Sequence, residues 1–312
     1  MEILKGAVLL VIGFILLVKG ADAFVDGASG LAENFGIPPL VVGLTIVAMG
    51  TSAPEAAVSI SSGLKDVTGI AIGNVLGSNL MNVLIILGIT AVIVEVPIQE
   101  TTFKIEIPFT IAITVLLLGL CVPDGYLGRV DAFILLACFA AYLAYTIYLG
   151  LHSDYEDDDP SDNLPNWKIF VFIIVGGACI VFGSNLIVDG ASMVARAFGV
   201  SDRIIGLTIV ALGTSLTELV TSVTAAIRKE ADIAIGNIVG SNIFNILFVL
   251  GLSGALNPIP FDSKFLLDGI MATAAILMLW VACVRTKSLR CPWGAIMLVT
   301  YAGYLAHLLM AA

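Results

Sequence analysis

The chain has 312 residues, 59% of them hydrophobic and only 12% charged, with a net charge of −10 and a mean hydropathy of +1.07. Soluble domains carry about a quarter charged residues, so a soluble globular protein is excluded, and the acidic balance argues against a nucleic-acid partner. A spanning helix needs about 20 apolar residues, which leaves room for roughly ten spans in a lipid bilayer and little else.

Apolar runs predict spans near residues 4–20, 38–64, 70–94, 103–121 and 130–150, then 168–187, 202–227, 233–256, 265–284 and 292–310. The first run has the look of a signal peptide: Lys5, an apolar stretch from Ala7 to Val18, then Ala21-Asp22-Ala23. The same segment recurs deep in the chain. Gly13, Val18, Gly20, Val25, Asp26, Gly27, Ala28 and Ser29 return as Gly176, Val181, Gly183, Val188, Asp189, Gly190, Ala191 and Ser192. A duplicated segment inside the mature chain reads as a permanent span.

The second run is interrupted by GTSAPE, Gly50 to Glu55, and the third carries GNVLGSN, Gly73 to Asn79. Both return in the second half at an offset of 163 residues. GLTIVAMGTSAPE (Gly43 to Glu55) becomes GLTIVALGTSLTE (Gly206 to Glu218), and IGNVLGSNLMNVL (Ile72 to Leu84) becomes IGNIVGSNIFNIL (Ile235 to Leu247). The match fades beyond residue 98, although Pro97 still pairs with Pro260. Such self-similarity decides architecture before any local motif does.

Between the halves lies DYEDDDPSDNLPN, Asp154 to Asn166, too polar to insert. It lacks the spacing of an EF-hand calcium loop and reads as a solvated linker rather than a regulatory calcium site. Each half then has five spans. Five is odd, so the second half crosses the opposite way, which is the sequence mark of many secondary transporters. The expected fold is an all-α membrane protein of about ten transmembrane helices, built as two five-helix inverted-topology repeats. The first covers residues 1–150, an acidic linker covers 151–166, and the second covers 167–312. With the N-terminus outside the cell membrane, eight Lys and Arg fall on the cytoplasmic side against six outside, a slight positive-inside bias. The five cysteines form no CxxC pair, so no disulfide framework and no zinc site is expected.

Glu55 and Glu218 fall well inside spans. A carboxylate near the bilayer centre costs about 2.5–3.5 kcal/mol on insertion scales, so it lines a pathway or binds an ion, or else makes an interhelical hydrogen bond as the neutral acid. Recurrence at matched positions with the same polar neighbours favours the ion. Gly50, Gly213 and Pro54 loosen the helices and free carbonyls, which membrane depth tolerates only where they line a cavity or bind something. Calcium takes 6–8 oxygens. The two carboxylates, the carbonyls of Thr51 and Thr214 and the hydroxyls of Ser52 and Ser215 supply such a set. No histidine or cysteine is near, which argues against zinc or copper. Asn74, Ser78 and Asn82 share one helix face by their i, i+4, i+8 spacing, as do Asn237, Ser241 and Asn245. Ser78, Asn82, Ser241 and Asn245 are expected to face the ions. Asn74 and Asn237 are expected to bond the broken helix of the facing repeat.

These two copies of G-T-S-x-P-E followed by G-N-x-x-G-S-N-x-x-N resemble the alpha-repeats of the sodium/calcium exchanger family, within the cation/calcium antiporters. The resemblance implies an exchanger, not an enzyme, that needs no cofactor and moves calcium and sodium through four clustered ion sites at the repeat interface. It implies calcium between Glu55 and Glu218 with the Thr51 and Thr214 carbonyls. It implies sodium at those glutamates, Ser52, Ser215, Ser78, Ser241 and the Ala48 and Ala211 carbonyls, with Asn82 and Asn245 in the middle. It also implies that the first span of each half belongs to a sliding gate pair. Two positions depart from the pattern. Thr217 stands where the family usually has proline, so the second helix break must rest on Gly213 and local side-chain bonding. Asn245 stands where potassium-dependent relatives carry aspartate, which leans against potassium co-transport. A calcium/proton antiporter is the nearest alternative, since both glutamates can protonate when empty, and a cation channel is the next.

Overall fold

The computed structural model describes residues 2–64, 69–152, 164–198, 213 and 215–311. Helix α1 (Glu2–Phe35) leads to α2 (Pro39–Thr51) and α3 (Ala53–Leu64), then α4 (Ala71–Ile93), α5 (Thr102–Asp124) and α6 (Arg129–Leu151). The second half holds α7 (Asn166–Ala197), α8 (Leu216–Ile227), α9 (Ala231–Leu256), α10 (Lys264–Cys283) and α11 (Cys291–Ala311). Seven of these (α1, α4, α5, α6, α7, α9 and α10) are long and apolar enough to cross a membrane. Helices α2 and α3 together make an eighth candidate, bent by 49°. The acidic linker expected over 151–166 falls largely on residues 153–163, outside the described residues, as do residues 202–212 and 214 of the span expected over 202–227.

The ends of α1 and α2 follow from local chemistry. Gly36 takes φ +61°, a left-handed turn that glycine enters without a Cβ penalty. The Ile37 N–H then reaches back to the Ala32 carbonyl at 2.9 Å, the wrap that satisfies a last-turn acceptor. Pro38 and Pro39 follow, and Pro39 occupies the first turn of α2, where its missing N–H costs nothing.

Helix α1 is far longer than the 4–20 run and α7 longer than 168–187. At 34 residues α1 spans about 50 Å, well beyond the hydrocarbon core. The extension is held by packing rather than by apolar length. Gly13, Gly20, Gly176 and Gly183 let the two helices touch backbone to backbone. A Cβ on Gly183 would lie 2.7 Å from the Leu17 nitrogen and 2.8 Å from the Gly13 carbonyl oxygen. The contacts pair low numbers on α1 with high numbers on α7, so the helices run antiparallel. Asp22 and Asp26, which made the run look finished, are paired with Arg228 beyond α8.

The centre of the molecule belongs to α4 and α9. In its best apolar window α9 is 94% buried, against 33% for α1. One continuous core joins Ile72, Leu76, Leu80 and Leu84 of α4 to Ile235, Ile238, Ile243 and Leu247 of α9. Two short antiparallel ribbons tie the halves together. Strand β1 (Val96–Pro97) pairs with β4 (Ser288–Leu289), and β2 (Tyr126–Leu127) pairs with β3 (Ile259–Pro260). Each ribbon takes one strand from each half, and the repeated prolines Pro97 and Pro260 sit in these edge strands, where a missing donor is tolerated.

Candidate ion-binding site

The second helix breaks at Ser52, whose backbone (φ −84°, ψ 8°) leaves the helical range. The effect is a fresh helix start inside the span, with Glu55 in the first turn of α3. Ser215 adopts nearly the same geometry (φ −81°, ψ 0°) and puts Glu218 in the first turn of α8. Helix N-termini carry unsatisfied N–H groups and a positive dipole end, which favour a carboxylate there. The placement of an acid in the first turn of a helix therefore has a physical cause in both copies.

Both acids are buried, Glu55 at 0% and Glu218 at 1% exposure. Ser52 Oγ donates to Glu218 Oε1 at 2.9 Å, across the interface between halves. Thr217, the residue in the place of Pro54, is also fully buried. Its hydroxyl lies 2.6 Å from Glu218 Oε2 and 2.9 Å from the Thr51 carbonyl oxygen. A hydroxyl has one proton, so it serves one of these acceptors at a time. The helix start in the second copy is thus held by a threonine bonded to the first copy, where the first copy has a proline ring.

Asparagines frame the acids. Thr51 Oγ1 donates to Asn237 Oδ1 at 2.8 Å, and Asn237 Nδ2 donates to Ser222 at 2.9 Å. Asn74 Nδ2 makes the repeat-related bond to Ser59 at 3.0 Å and reaches the Glu55 carbonyl at 3.2 Å. Asn237 therefore bonds the facing half, while the described bonds of Asn74 stay within its own half. On α9, a Cβ at Gly240 would sit 2.6 Å from the Leu44 carbonyl oxygen. That closeness brings Ser241 Oγ to 3.4 Å from the Ala48 carbonyl oxygen.

Asn79 and Asn242 are the residues that spacing alone missed. Asn79 Nδ2 donates to the Asn242 carbonyl at 3.2 Å, and Asn242 Nδ2 to the Asn79 carbonyl at 3.5 Å. Their side-chain oxygens accept from the amides that follow: Asn82 Nδ2 to Asn242 Oδ1 at 3.0 Å, and Asn245 Nδ2 to Asn79 Oδ1 at 3.2 Å. This exchange occupies the NH2 ends of Asn82 and Asn245. Their Oδ1 atoms are buried without a hydrogen-bond partner. A buried amide oxygen left so is costly unless something electropositive meets it, and a hard cation does that. Both residues also open a π-helical turn, over Asn82–Ile86 and Asn245–Leu250, a distortion frequent at functional sites. The signal was present in the sequence as the repeated G-S-N, but only the pairing of halves shows what those asparagines hold.

Of the expected site residues, Ala48, Thr51, Ser52, Glu55, Ser78, Asn82, Ser215, Glu218, Ser241 and Asn245 are all buried. Ala211 and Thr214 lie outside the described residues. Among the described residues no group of three or more His, Cys, Asp and Glu side chains converges, so the site offers two carboxylates amid neutral oxygens.

Known proteins match over nearly the whole chain. The model of the family described as "Sodium/calcium exchanger protein" covers residues 5–148 and 168–310. A putative antiporter, CaxA, from Alkalimonas amylolytica is 39% identical over 96% of this chain and 98% of its own length. The sodium/calcium exchanger MaX1 of Methanosarcina acetivorans is 48% identical over a shorter stretch, 27% of this chain and 24% of that protein. A solved structure of the sodium-calcium exchanger NCX_Mj, soaked with sodium and strontium, superposes with a TM-score of 0.86 at 30% identity, covering 97% of this chain and 98% of that one. The chain is an integral membrane transporter and belongs to the sodium/calcium exchanger protein family.

Proposed function

We propose that this chain is a secondary antiporter that exchanges sodium for calcium across the cell membrane by alternating access, electrogenically and without potassium. Helices α8 and α11 complete ten spans with those counted above, in two five-helix repeats of inverted topology, with the N-terminus outside. The observation that carries the reading is the pair Glu55 and Glu218, both buried and each in the first turn of a helix. Two carboxylates in a low dielectric stay ionised only when cations compensate them. One calcium does so, and several sodium ions do so; a mixture of the two fits poorly. Competition for one cluster of oxygens is then the coupling.

Calcium would take the two carboxylates and the Thr51 and Thr214 carbonyls. Sodium would use the same acids with Ser52, Ser215, Ser78, Ser241 and the Ala48 and Ala211 carbonyls. Asn82 and Asn245 would turn their free Oδ1 atoms to the centre. The exchange of bonds with Asn79 and Asn242 supports that last role, because it fixes which end of each amide faces inward. The antiparallel pair α1 and α7 would slide over this core as the gate. The test is calcium uptake into proteoliposomes loaded with sodium, with potassium or with neither, and separately under a pH gradient. Uptake that needs internal sodium is expected. Robust uptake driven by the pH gradient alone would replace this reading with calcium/proton exchange.

A further inference from the structure

The turn between α10 and α11 carries three cations, Arg285, Lys287 and Arg290. Lys287 is committed to the face of Phe103, 3.1 Å from the ring centre. Arg290 donates through Nε to Glu95 Oε1 at 2.8 Å, which together with Ser288 holds that carboxyl below its usual range. This bond uses Nε and leaves the terminal nitrogens of the guanidinium for another partner. Arg285 forms no ion pair among the described residues and is exposed.

Arg285 and Arg290 line a cavity of about 550 Å³ together with Thr286, Trp293, Val281 and Val284. Its two ends differ in character. Val281 and Val284, 52% and 48% exposed, continue the outer face of α10, which in a membrane protein meets acyl chains. The guanidinium end lies just past Cys283, the last residue of that span. Trp293, in the first turn of α11, also lines the cavity, and an indole favours the membrane interface. A free anion would use only the charged end.

The internal duplication supplies a control. The repeat-related turn, between α5 and α6, builds the matching ribbon β2–β3, in which Tyr126 and Leu127 take the places of Ser288 and Leu289; Pro123 then stands at the position of Arg285 and Gly128 at that of Arg290. The fold therefore does not require the two arginines, and their placement at one turn calls for another cause. Basic pockets between spans bind acidic lipid headgroups.

We propose that this cavity is a binding site for an anionic phospholipid, its phosphate on Arg285 and Arg290 and its chain along Val281 and Val284. The site is independent of the ion-binding cluster and of which ions the chain carries. Native mass spectrometry of the purified full chain, given phosphatidylglycerol and phosphatidylcholine in equal amounts, tests it. Phosphatidylglycerol should be retained preferentially. Arg285→Ala should lower its occupancy about fivefold, the factor one basic residue near an anionic membrane surface contributes, while Arg285→Lys should keep most of it. Because Arg285 is exposed, neither variant disturbs packing, and an unchanged melting temperature checks that. Equal retention of the two lipids by the wild type, or equal retention of phosphatidylglycerol by Arg285→Ala, overturns the proposal. Displacement of the lipid by an equal concentration of glycerol phosphate also overturns it, because the cavity would then hold a free phosphate rather than a lipid.

Discussion

Thr217 shows how a single side chain can replace a backbone constraint. Pro54 breaks α2 from α3 partly by withholding a donor. Thr217 reaches the same backbone geometry one repeat later by placing its hydroxyl between the Thr51 carbonyl and Glu218. The acids that follow are the residues on which the proposed function stands. Removing one charge from a buried pair that balances a divalent ion costs about 3–5 kcal/mol. Glu55→Gln or Glu218→Gln should therefore weaken calcium binding by at least about a hundredfold while the protein still inserts and purifies as a monodisperse species. Calcium flux close to wild type in either variant would remove that glutamate from the site. Asn245 makes a subtler case. Its Nδ2 donates to Asn79 Oδ1 at 3.2 Å, and aspartate there sets two acceptors face to face. Asn245→Asp should consequently demand a proton or a further cation, so that exchange acquires a dependence on pH or potassium. If sodium, potassium and pH profiles all stay as in the wild type, Asn245 does not face the ions.

At the scale of elements, the α1–α7 pair depends on glycines because backbone meets backbone. Any side chain at Gly183 would meet the Leu17 nitrogen and Gly13 carbonyl oxygen within 3 Å, and neither can swing aside as a flexible side chain could. Overpacking of this kind costs about 1–3 kcal/mol. Gly183→Val should lower thermal stability by that amount and slow exchange. The control is Gly303→Val on α11, where a Cβ meets nothing within 4 Å and both stability and transport should be unaffected. Equal melting curves and rates for the two variants would mean that the close approach of α1 and α7 does not constrain the cycle. The central pair α4 and α9 behaves differently. Its distortion begins at Asn82 and Asn245, so the residues proposed to meet the ion are also those where the helix ladder changes register.

For the molecule as a whole, the decisive quantity is net charge in the site. In the proposed site Glu55 and Glu218, when ionised, would contribute two negative charges, which one calcium would neutralise. Three sodium ions, the number implied by the family resemblance, would leave one positive charge. An elementary charge crossing the full potential is worth about 2.3 kcal/mol per 100 mV. Calcium uptake driven by internal sodium should slow as the inside is made more negative. Proteoliposomes clamped at several potentials with potassium and valinomycin read this directly. Uptake indifferent to potential would instead indicate two sodium ions per calcium and one sodium site fewer.

Sequence alone determined the membrane class, the duplication and the position of both buried acids. Hydropathy and self-similarity are local or periodic properties that need no coordinates. It also predicted where helices break, because glycine and proline act within a few residues. The length of α1 was not legible, since the apolar run ends before Asp22 and Asp26, and Arg228, some two hundred residues away in the chain, is what pairs with them. Nor could spacing assign Asn79 and Asn242, whose four amide bonds run between halves. The crossed ribbons β1–β4 and β2–β3 are invisible for the same reason: each joins two-residue strands too short to carry a pattern. Which polar groups satisfy one another is decided by the packing of one repeat on the other, and that is a property of the tertiary structure, because a buried donor takes the acceptor nearest in space whatever its distance along the chain.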